Sequence, residues 1–355
     1  MLRGHGDDYS LGDGKADGAS RRLTNLVDLS RSGVAVNVGF GCSGAFNVGA
    51  GAVVVGDMTS FGAVTVGAGA KLTGKIDSVA AVTIGYEAQV SAGTSGTQQA
   101  ITIDAGNTFD CVGVTSGGGE GGILSQSAIT IAANGIVCGD VTSGGAVTVG
   151  ALAELFGFVE DVGGITIGAG ANHQPVAGGH NIITVGQLTA SNSTNVINDI
   201  KYAYDEAIGK SGPSDLALVN IVGSTLTLSS GLYLHSGAFA LDTSVTLKLD
   251  GGMAQGNSNA KWVIIVDGSC AIYGSVELIN GAQASNVQWI VKGAFALATN
   301  KVFSGTVIAN GAIGIGASAR FTGRMFTING GAINIGALAC NIDDRVTFDT
   351  NSCPN

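Results

Sequence analysis

The chain has 355 residues, of which 59 are glycine and 3 are proline, and 45% are hydrophobic. Collagen, which needs glycine at every third residue and abundant proline, is excluded, and so is a disordered chain, which needs few apolar residues. The net charge of −10 at pH 7 and the pI near 4.7 argue against nucleic acid and anionic membranes as partners.

The start of the chain, from Met1 to Ser20, is polar and rich in glycine, so residues 1–33 are predicted to form a flexible N-terminal arm. Glycine and polar residues interrupt every apolar stretch of the chain, and no transmembrane helix is therefore expected. Charged residues make up 12% of the chain, about half of the roughly 25% that is usual for globular proteins. Much of the folded surface must therefore be small and uncharged.

A repeated unit follows the arm. The first apolar residue of each unit is, in turn, Phe46, Val64, Val82, Ile101, Ile129, Val147, Ile165 and Ile183. Most steps between units are 18 residues, and the single step of 28 contains a ten-residue insertion, Gly117 to Gln126. The glycine run in this insertion predicts a loop at one corner of the fold.

Within each unit, apolar residues alternate with polar ones, as in Val64-Thr65-Val66, and glycine or alanine separates the short apolar runs. This pattern is typical of strands with one buried face, broken by tight corners. An 18-residue unit divided into three sides predicts one coil of a triangular parallel β-solenoid, in which each coil is stable only when it stacks on its neighbours. The fold class is therefore predicted to be all-β.

One segment, residues 193–209, has the helical period instead: Val196, Ile200, Ala203 and Ala207 lie at spacings of three and four residues. It predicts an amphipathic α-helix, capped by Ser193 or Thr194, that packs alongside the solenoid. Strand patterns resume from Thr225, and repeat units return as Gly293-Ala-Phe-Ala-Leu297, Gly311-Ala-Ile-Gly-Ile315 and Gly331-Ala-Ile-Asn-Ile335.

Several motifs of the C-terminal half resemble, in order and spacing, ice-binding proteins of the DUF3494 type. They are Tyr202-Ala-Tyr-Asp205, Leu228-Ser-Ser-Gly-Leu-Tyr233, Ile279 to Trp289, Phe303-Ser-Gly-Thr-Val-Ile-Ala309 and Phe321-Thr-Gly-Arg-Met-Phe326. The resemblance covers roughly residues 147–344, although Ser229-Ser-Gly-Leu-Tyr233 departs from the family's usual Thr-Pro-Gly-Val-Tyr. It implies a right-handed β-solenoid with one long helix alongside, and an antifreeze role in a secreted protein.

The pattern and the resemblance together predict four parts: the arm (1–33), N-terminal solenoid coils (34–146), an ice-binding-type solenoid with the helix (147–345) and a C-terminal tail (346–355). Whether the N-terminal coils continue the stack of the C-terminal coils stays open at this point.

A row of outward residues is the candidate ice-binding site. The residue between the two inward apolar residues of each unit points outward, because side chains alternate across a strand. These residues are Asn47, Thr65, Thr83, Thr102, Thr130, Thr148, Thr166 and Thr184. Stacked at about 4.8 Å per coil, they would form a flat row about 35 Å long. Threonine also suits any outward strand position, so this pattern alone does not identify an ice site.

A C-terminal surface with Thr225, Thr227, Thr246 or Thr306 is an alternative ice-binding face. In the C-terminal units, Ala296, Gly314 and Asn334 take the outward position. The expected partner is an ice surface with its ordered water, bound by a monomer, with no nucleic acid and no membrane as partner.

Other function classes have weaker support. The N-terminal units also resemble bactofilins, solenoids that polymerise end to end, which is the alternative function. An enzyme would need clustered acids with a basic group, and Asp57, Asp77 and Asp140 recur without one. His173 and His180 lack further ligands at a suitable spacing. No catalytic residue, metal or cofactor is therefore predicted.

The 6 cysteines include no Cys-x-x-Cys pair. Two disulfides are considered: Cys340 with Cys353, which would staple the tail, and Cys111 with Cys138, which fall at similar places in successive coils. Buried free thiols are the alternative for the second pair.

Overall fold

The computed structural model describes residues 39–91, 122–156, 159–161, 163–174, 191–209, 225–252 and 260–342. In these residues, short parallel strands stack into a β-solenoid, and one α-helix lies against it. The predicted β-solenoid with a helix alongside is therefore confirmed.

The strands form four parallel sheets, in which neighbouring strands belong to neighbouring coils of the stack. From one end of the stack to the other, sheet A consists of β16 (Val159–Asp161), β13 (Asp140–Ser143), β10 (Gly122–Ser125), β7 (Ile76–Ser78), β4 (Met58–Ser60), β1 (Phe40–Cys42), β32 (Met325–Thr327), β29 (Thr306–Ala309), β26 (Val287–Val291), β23 (Trp262–Val266) and β20 (Gly231–His235). In the same direction, sheet B consists of β17 (Ile165–Ile167), β14 (Val147–Val149), β11 (Ile129–Ile131), β8 (Val82–Ile84), β5 (Val64–Val66), β2 (Phe46–Val48), β33 (Ile333–Ile335), β30 (Ile313–Ile315), β27 (Phe295–Leu297), β24 (Cys270–Ile272) and β21 (Phe239–Leu241).

The third side of the solenoid contains the other two sheets. Sheet C consists of β18 (Asn172–Gln174), β15 (Glu154–Phe156), β12 (Ile136–Cys138), β9 (Gln89–Ser91), β6 (Lys71–Thr73), β3 (Val53–Val55), β34 (Cys340–Ile342), β31 (Arg320–Thr322) and β28 (Val302–Ser304). Sheet D, which contacts sheet C where β25 lies next to β28, consists of β19 (Thr225–Ser229), β22 (Thr246–Asp250) and β25 (Ser275–Ile279).

The order of the stack differs from the order of the chain. The first coil, with β1, β2 and β3, pairs with the last coil, with β32, β33 and β34. Residues 40–174 (the N-terminal half-stack) and residues 225–342 (the C-terminal half-stack) therefore form one continuous stack, joined at this seam. The pairing of β14 with β11 is as regular as that of its neighbours, so the stack has no break at residue 147.

The core consists of the side chains that alternate inward along each strand. In the N-terminal half-stack they are mostly valine, isoleucine and leucine, whereas Trp262, Trp289, Phe295, Phe303 and Phe321 occupy the C-terminal half-stack. The aromatic rings contact one another, and the rings of Phe295 and Phe303 meet edge to face with centroids 5.0 Å apart. Both tryptophans are buried in the core, as expected from their strand patterns.

Buried serines fix the corner between sheets A and B. Ser60, Ser78, Ser125 and Ser143 occupy inward positions in successive coils. The Ser60 hydroxyl lies 2.9 Å from the carbonyl oxygens of Gly44 and Gly62. The hydroxyls of the other three serines donate to corner carbonyls in the same way, Ser78 to Gly62 and Ala80, Ser125 to Ala80 and Ser143 to Ser127, so each coil enters sheet B at the same place.

The predicted loop Gly117 to Gln126 is wrong for its second part, because Gly122–Ser125 forms β10 and pairs with β7 and β13. Ile123 and Ser125 repeat the inward pair Ile76 and Ser78 of the neighbouring coil. Residues 92–121 instead separate two adjacent coils, and they include the predicted unit at Ile101, which lies outside the described residues.

The helix α1 spans Ser191–Ile208 and so begins before the predicted caps Ser193 and Thr194. Its buried residues, among them Val196, Ile200 and Ala203, pack on the outer side of sheet A, against residues of β23, β26, β29 and β32. Gly41 on β1 lets it approach closely, since a Cβ atom there would lie 3.0 Å from Ile200 Cδ1. The helix therefore lies across the seam. No helix in the described part of the chain combines the length and hydropathy needed to cross a bilayer.

Candidate functional site

Sheet B carries a continuous row of outward residues, which we call the outward file. From one end of the stack to the other its members are Thr166, Thr148, Thr130, Thr83, Thr65, Asn47, Asn334, Gly314, Ala296, Ala271 and Ala240. Each member is the direct register partner of the next, so neighbouring Cα atoms are about 4.8 Å apart. The five threonines are exposed. The residues on either side of Thr65, Thr83, Thr130 and Thr148 are buried, whereas Ile165 and Ile167, at the end of the described stack, are exposed.

Six of the eight predicted site residues lie in this file: Asn47, Thr65, Thr83, Thr130, Thr148 and Thr166. Thr102 and Thr184 lie outside the described residues. The expected place of Thr102 between Thr83 and Thr130 is wrong, because those two residues are direct register partners. The six residues therefore span about 24 Å rather than the expected 35 Å.

The C-terminal half of the file has a different composition. Asn334, Gly314 and Ala296 continue the row, as their position in the repeat indicated, but no threonine occurs in this half. The outward file thus has a threonine half, a pair of asparagines at the seam and a half of alanine and glycine. Its two halves are equally level but differ in hydrogen-bonding groups.

The borders of the threonine half are flat as well. Alanine or glycine lies two residues before and two residues after each threonine: Ala63, Ala81, Ala128, Ala146 and Gly164 on one side, and Gly67, Gly85, Ala132, Gly150 and Gly168 on the other. Side chains this short cannot rise above the threonine side chains. The surface that a planar partner would meet is therefore level between these small border residues, and the exposed side chains of Tyr86 and Leu152 lie just beyond it.

The threonine hydroxyls are free to bind a partner. Within the described residues, none of the five hydroxyl groups takes part in a hydrogen bond to the protein. A hydroxyl can donate one hydrogen bond and accept others. No member of the outward file is ionisable, and Lys71 and Asp77, which share coils with Thr65 and Thr83, lie on sheets C and A. The file therefore offers ordered polar atoms without charge.

The other sides of the solenoid are less suited to a flat contact. The helix covers much of sheet A. On sheet C, the outward residues Val53 and Val55, on either side of the inward Val54, are buried. Cys138 and Cys340, on the same sheet, are disulfide-bonded. In the described residues, sheet B is the long sheet whose outer side stays open.

The alternative face around Thr225, Thr227, Thr246 and Thr306 is not a comparable surface. Thr306 is buried, with 1% of its surface exposed. The other three residues lie on sheet D, which has three strands. There Lys248 is the register partner of Thr227, and Glu277 is the next residue in the same row. Sheet D is therefore short and charged where sheet B is long and neutral.

The cysteines have two different states. Cys42 and Cys270 are buried free thiols, and burial raises the pKa of Cys42 to about 11, so it stays protonated near neutral pH. Cys138 and Cys340 are each disulfide-bonded, and each belongs to one of the two disulfides considered from the sequence. The other members of those two pairs, Cys111 and Cys353, lie outside the described residues. The coil neighbours of Cys138 are Ser91 and Phe156, not Cys111 as the repeat suggested.

Groups that could carry enzyme chemistry are dispersed. Asp77 and Asp140 lie on β7 and β13, with β10 between them. Among the described residues, no group of three or more histidine, cysteine, aspartate or glutamate side chains could hold a metal ion. His180 lies outside the described residues, and His173 lies on β18.

Two residues of the outward file, Asn47 and Asn334, form a hydrogen bond that was not predicted from the sequence. Asn47 Nδ2 donates a hydrogen bond to Asn334 Oδ1, at 2.7 Å, across the seam. The signal was present in the sequence, because Gly44-Ala-Phe-Asn-Val48 and Gly331-Ala-Ile-Asn-Ile335 are the units with asparagine at the outward position. Like residues often stack in solenoids, so this match could have indicated that the two coils are neighbours.

Comparison with known proteins gives a consistent result. A family model described as ice-binding-like matches residues 123–338, which is more than half of the chain. The chain is 31% identical over 140 residues to an ice-binding protein of Flavobacterium frigoris (strain PS1), covering 38% of this chain and 48% of that protein. It is 34% identical over 130 residues to ice-binding protein 1 of Shewanella frigidimarina (strain NCIMB 400), covering 36% and 13%. The match to ice-binding protein K3-B1 of Typhula ishikariensis is 31% over 130 residues, covering 36% and 51%. The chain thus spans about half, or less, of the length of these relatives.

Solved structures of ice-binding proteins align over most of the chain. One is the crystal structure of an ice binding protein from an Antarctic biological consortium, with 19% identity, a TM-score of 0.44 and coverage of 90% of this chain and 91% of that one. Another is the DUF3494 domain of Shewanella frigidimarina ice-binding protein 1, with 16% identity, a TM-score of 0.44 and coverage of 90% and 98%.

The family model and the curated relatives agree with the resemblance found in the sequence motifs, and they give no support to the bactofilin-like alternative. The family is named for ice binding and not for an enzyme activity. Because its model matches most of the solenoid and the whole of the helix, the chain belongs to the ice-binding-like family.

Proposed function

We propose that the protein is an antifreeze protein that adsorbs to ice through sheet B and inhibits ice growth and recrystallisation. The observation that carries this proposal is the outward file, in which five threonines stand in register on an open and uncharged sheet. The relatives named as ice-binding proteins support the same function.

The chemistry of the threonine half suits water as a ligand. Each exposed threonine offers a hydroxyl that can bind water and a methyl group that restricts where that water lies. The spacing of about 4.8 Å between threonines is close to an oxygen repeat of the ice lattice, so neighbouring waters can adopt an ice-like arrangement. Because the strands of Thr65, Thr83, Thr130 and Thr148 are held by ladders on both sides, this arrangement requires no reorganisation of the protein.

Adsorption then inhibits growth by a surface effect. Ice can advance only between bound protein molecules, and its front becomes curved there. A curved front melts at a lower temperature than a flat one, so growth stops over a range of temperatures below the melting point. This range is the thermal hysteresis.

The proposal includes a non-enzymatic protein that acts as a monomer outside the cell, with an ice surface as its partner. Two of the four described cysteines are disulfide-bonded, which supports an oxidising compartment. The net charge of −10 at pH 7 disfavours nucleic acid and anionic membranes as partners.

The decisive experiment measures thermal hysteresis of the native protein and of Thr148→Tyr and Thr83→Tyr variants. A tyrosine in the middle of the threonine half would stand above its flat surroundings, so each variant is expected to lose most of the hysteresis while keeping its circular dichroism spectrum. Thr227→Tyr is the matched control, because Thr227 is an exposed strand threonine on sheet D.

Full hysteresis in both sheet B variants would show that ice binds elsewhere. Loss of hysteresis in the sheet D control alone would place the contact on sheet D. A native protein without any hysteresis would contradict the proposed function itself.

A further inference from the structure

The seam is the place where the chain does not run directly from one coil of the outward file to the next. Within a half-stack the chain itself links neighbouring coils, for example through the 18 residues from Thr65 to Thr83. Asn47 and Asn334 are neighbours in space but are 287 residues apart in the chain. The register of the two half-stacks is therefore not set by a short connection of the chain.

The strands at the seam are short. In sheet B the pairing consists of Phe46 with Ile333, Asn47 with Asn334 and Val48 with Ile335. Both strands alternate between inward apolar and outward residues, so a shift by two residues would still place apolar side chains in the core. Such a shift would displace one half of the file from the other by about 6.6 Å.

Several side-chain hydrogen bonds cross the seam on or beside sheet B, and one of them joins the Cys42 thiol to the backbone of Ile333. Asn47 Nδ2 donates to Asn334 Oδ1 at 2.7 Å. The backbone N–H of Gly330 donates to Ser43 Oγ, also at 2.7 Å, at the border between sheets A and B. A shift by two residues would bring Asn47 opposite Ala332 or Gly336, and the amide bond would be lost.

We infer that Asn47 with Asn334, supported by Ser43 with Gly330, forms a clasp that keeps the two half-stacks in register and so keeps the outward file continuous. These are positioning residues: they hold the threonine half and the alanine and glycine half in one plane. The inference rests on the proposed function, because it concerns the same face and the same ligand.

A clasp variant with Ser43→Ala and Asn47→Ala tests the inference in the full chain. It is expected to lose most of the thermal hysteresis while its circular dichroism spectrum stays native, because the backbone ladders at the seam remain. Asn310→Ala is the matched control. It removes an asparagine that hydrogen-bonds another asparagine, Asn329, within the C-terminal half-stack, and it is expected to keep full hysteresis.

Rescue by a cross-link separates positioning from direct contact with ice. In a variant with Asn47→Cys and Asn334→Cys, the two Cα atoms would be about 4.8 Å apart, within the range for a disulfide. Hysteresis is expected to be low after reduction and to return on oxidation, because the covalent bond replaces the clasp. An amide that acted only by contacting ice would not be replaced by a disulfide.

Two results would overturn the clasp. One is native hysteresis in the Ser43→Ala and Asn47→Ala variant, and the other is persistent loss in the cysteine variant after its disulfide has formed. If Thr148→Tyr abolishes hysteresis while the clasp variant keeps it, the clasp fails and the proposed function stands. If Thr148→Tyr and Thr83→Tyr both keep full hysteresis, ice binds elsewhere than at sheet B and the premise of the clasp fails, whereas only a native protein without hysteresis contradicts the proposed function itself. Should the double variant not fold, Asn334→Ala removes the acceptor alone and decides the same question.

Discussion

Asn341 is an unusual residue in the core of the solenoid. Its side chain is fully buried, and neither amide atom has a hydrogen-bond partner. Its register partners are Phe321 and Val54, both apolar. A buried polar group without a partner costs stability, because its hydrogen bonds to water are lost and not replaced.

Asn341→Leu is therefore expected to stabilise the protein by about 1–3 kcal/mol, the usual desolvation cost of an unpaired polar group. Leucine has the same number of side-chain heavy atoms as asparagine and branches at the same carbon, so it can adopt a similar position. The measurement is the free energy of unfolding in urea. Phe321→Leu is the control, since it shrinks an apolar neighbour, and it is expected to destabilise. A loss of stability in Asn341→Leu would contradict the absence of a partner.

The inward position of Asn341 could not be predicted from its own strand. In Cys340-Asn341-Ile342 the alternation favours Cys340 and Ile342 as the inward residues. Pairing with Arg320-Phe321-Thr322 and Val53-Val54-Val55 fixes the opposite arrangement, because large apolar residues must stack on one another. For Thr65, Thr83, Thr130 and Thr148, the alternation within the strand and the pairing with neighbouring strands indicate the same outward orientation. The sequence alone was therefore sufficient to predict it.

The helix α1 is held to sheet A by a continuous apolar contact. Val196, Ile200, Ala203 and Ala207 are buried against it. The sheet's outward residues change along the stack from Ile290 and Phe326, which are buried, to Asp77, which is partly exposed. An 18-residue helix is about 27 Å long, the height of about six coils, and the apolar stretch of the sheet matches that reach.

Tyr204 makes this contact sensitive to alkali. Burial, together with the negative charges of Asp205 and Asp267, raises the pKa of Tyr204 from 10.0 to about 12. The folded protein favours the neutral phenol, so this group's contribution to stability is present below pH 10 and is lost as the pH rises towards 12.

We therefore expect the free energy of unfolding to fall between pH 10 and pH 12, and to fall less steeply in Tyr204→Phe. Tyr202→Phe is the control, because Tyr202 is exposed on the same helix, and it is expected to behave as the native protein. Equal slopes for Tyr204→Phe and the native protein would show that Tyr204 ionises alike in both states.

At the level of elements, the 3.6-residue period identified the helix and the two-residue period identified the strands of each unit. β10 was missed because Gly122–Ser125 follows a glycine run and contains a single alternation. The triplets Met58-Thr-Ser60, Ile76-Asp-Ser78 and Val141-Thr-Ser143 carried the missing signal, since each ends in the buried serine of the corner.

At the scale of the whole molecule, one additional residue would be enough to connect the two half-stacks across the seam. Elsewhere a glycine and one further residue connect sheet C to sheet A, as Gly74 and Lys75 do between Thr73 and Ile76. Gly39 already occupies the second of these positions before Phe40. One glycine between Ile342 and Gly39 would therefore complete the coil, with a positive φ like the 147° of Gly74.

A circular permutant tests this geometry. It joins Ile342 to Gly39 through one glycine, omits residues 1–38 and 343–355, and has new termini within residues 210–224. The control has the native order and the same deletions. The permutant is expected to unfold at a higher temperature, because the pairings at the seam then close a short loop in place of one of 287 residues, and a shorter loop costs less entropy to close. A lower unfolding temperature would show that the seam cannot accept a covalent connection.

The order of the coils could not be predicted from the repeat. Every unit presents the same alternation, so many stacking orders bury the same side chains. What selects the observed order is the position of the helix and the match between Asn47 and Asn334, and both are contacts between distant parts of the chain.

The seam also determines when the protein can finish folding during synthesis. β1, β2 and β3 leave the ribosome early, but their partners β32, β33 and β34 are made nearly last. At about 5–20 residues per second, their edges wait roughly 15–60 s for those partners. During that interval the nascent chain presents open strand edges to its surroundings, so slow translation or a scarcity of chaperones should lower the yield of this protein more than that of a solenoid whose coils stack in the order of synthesis.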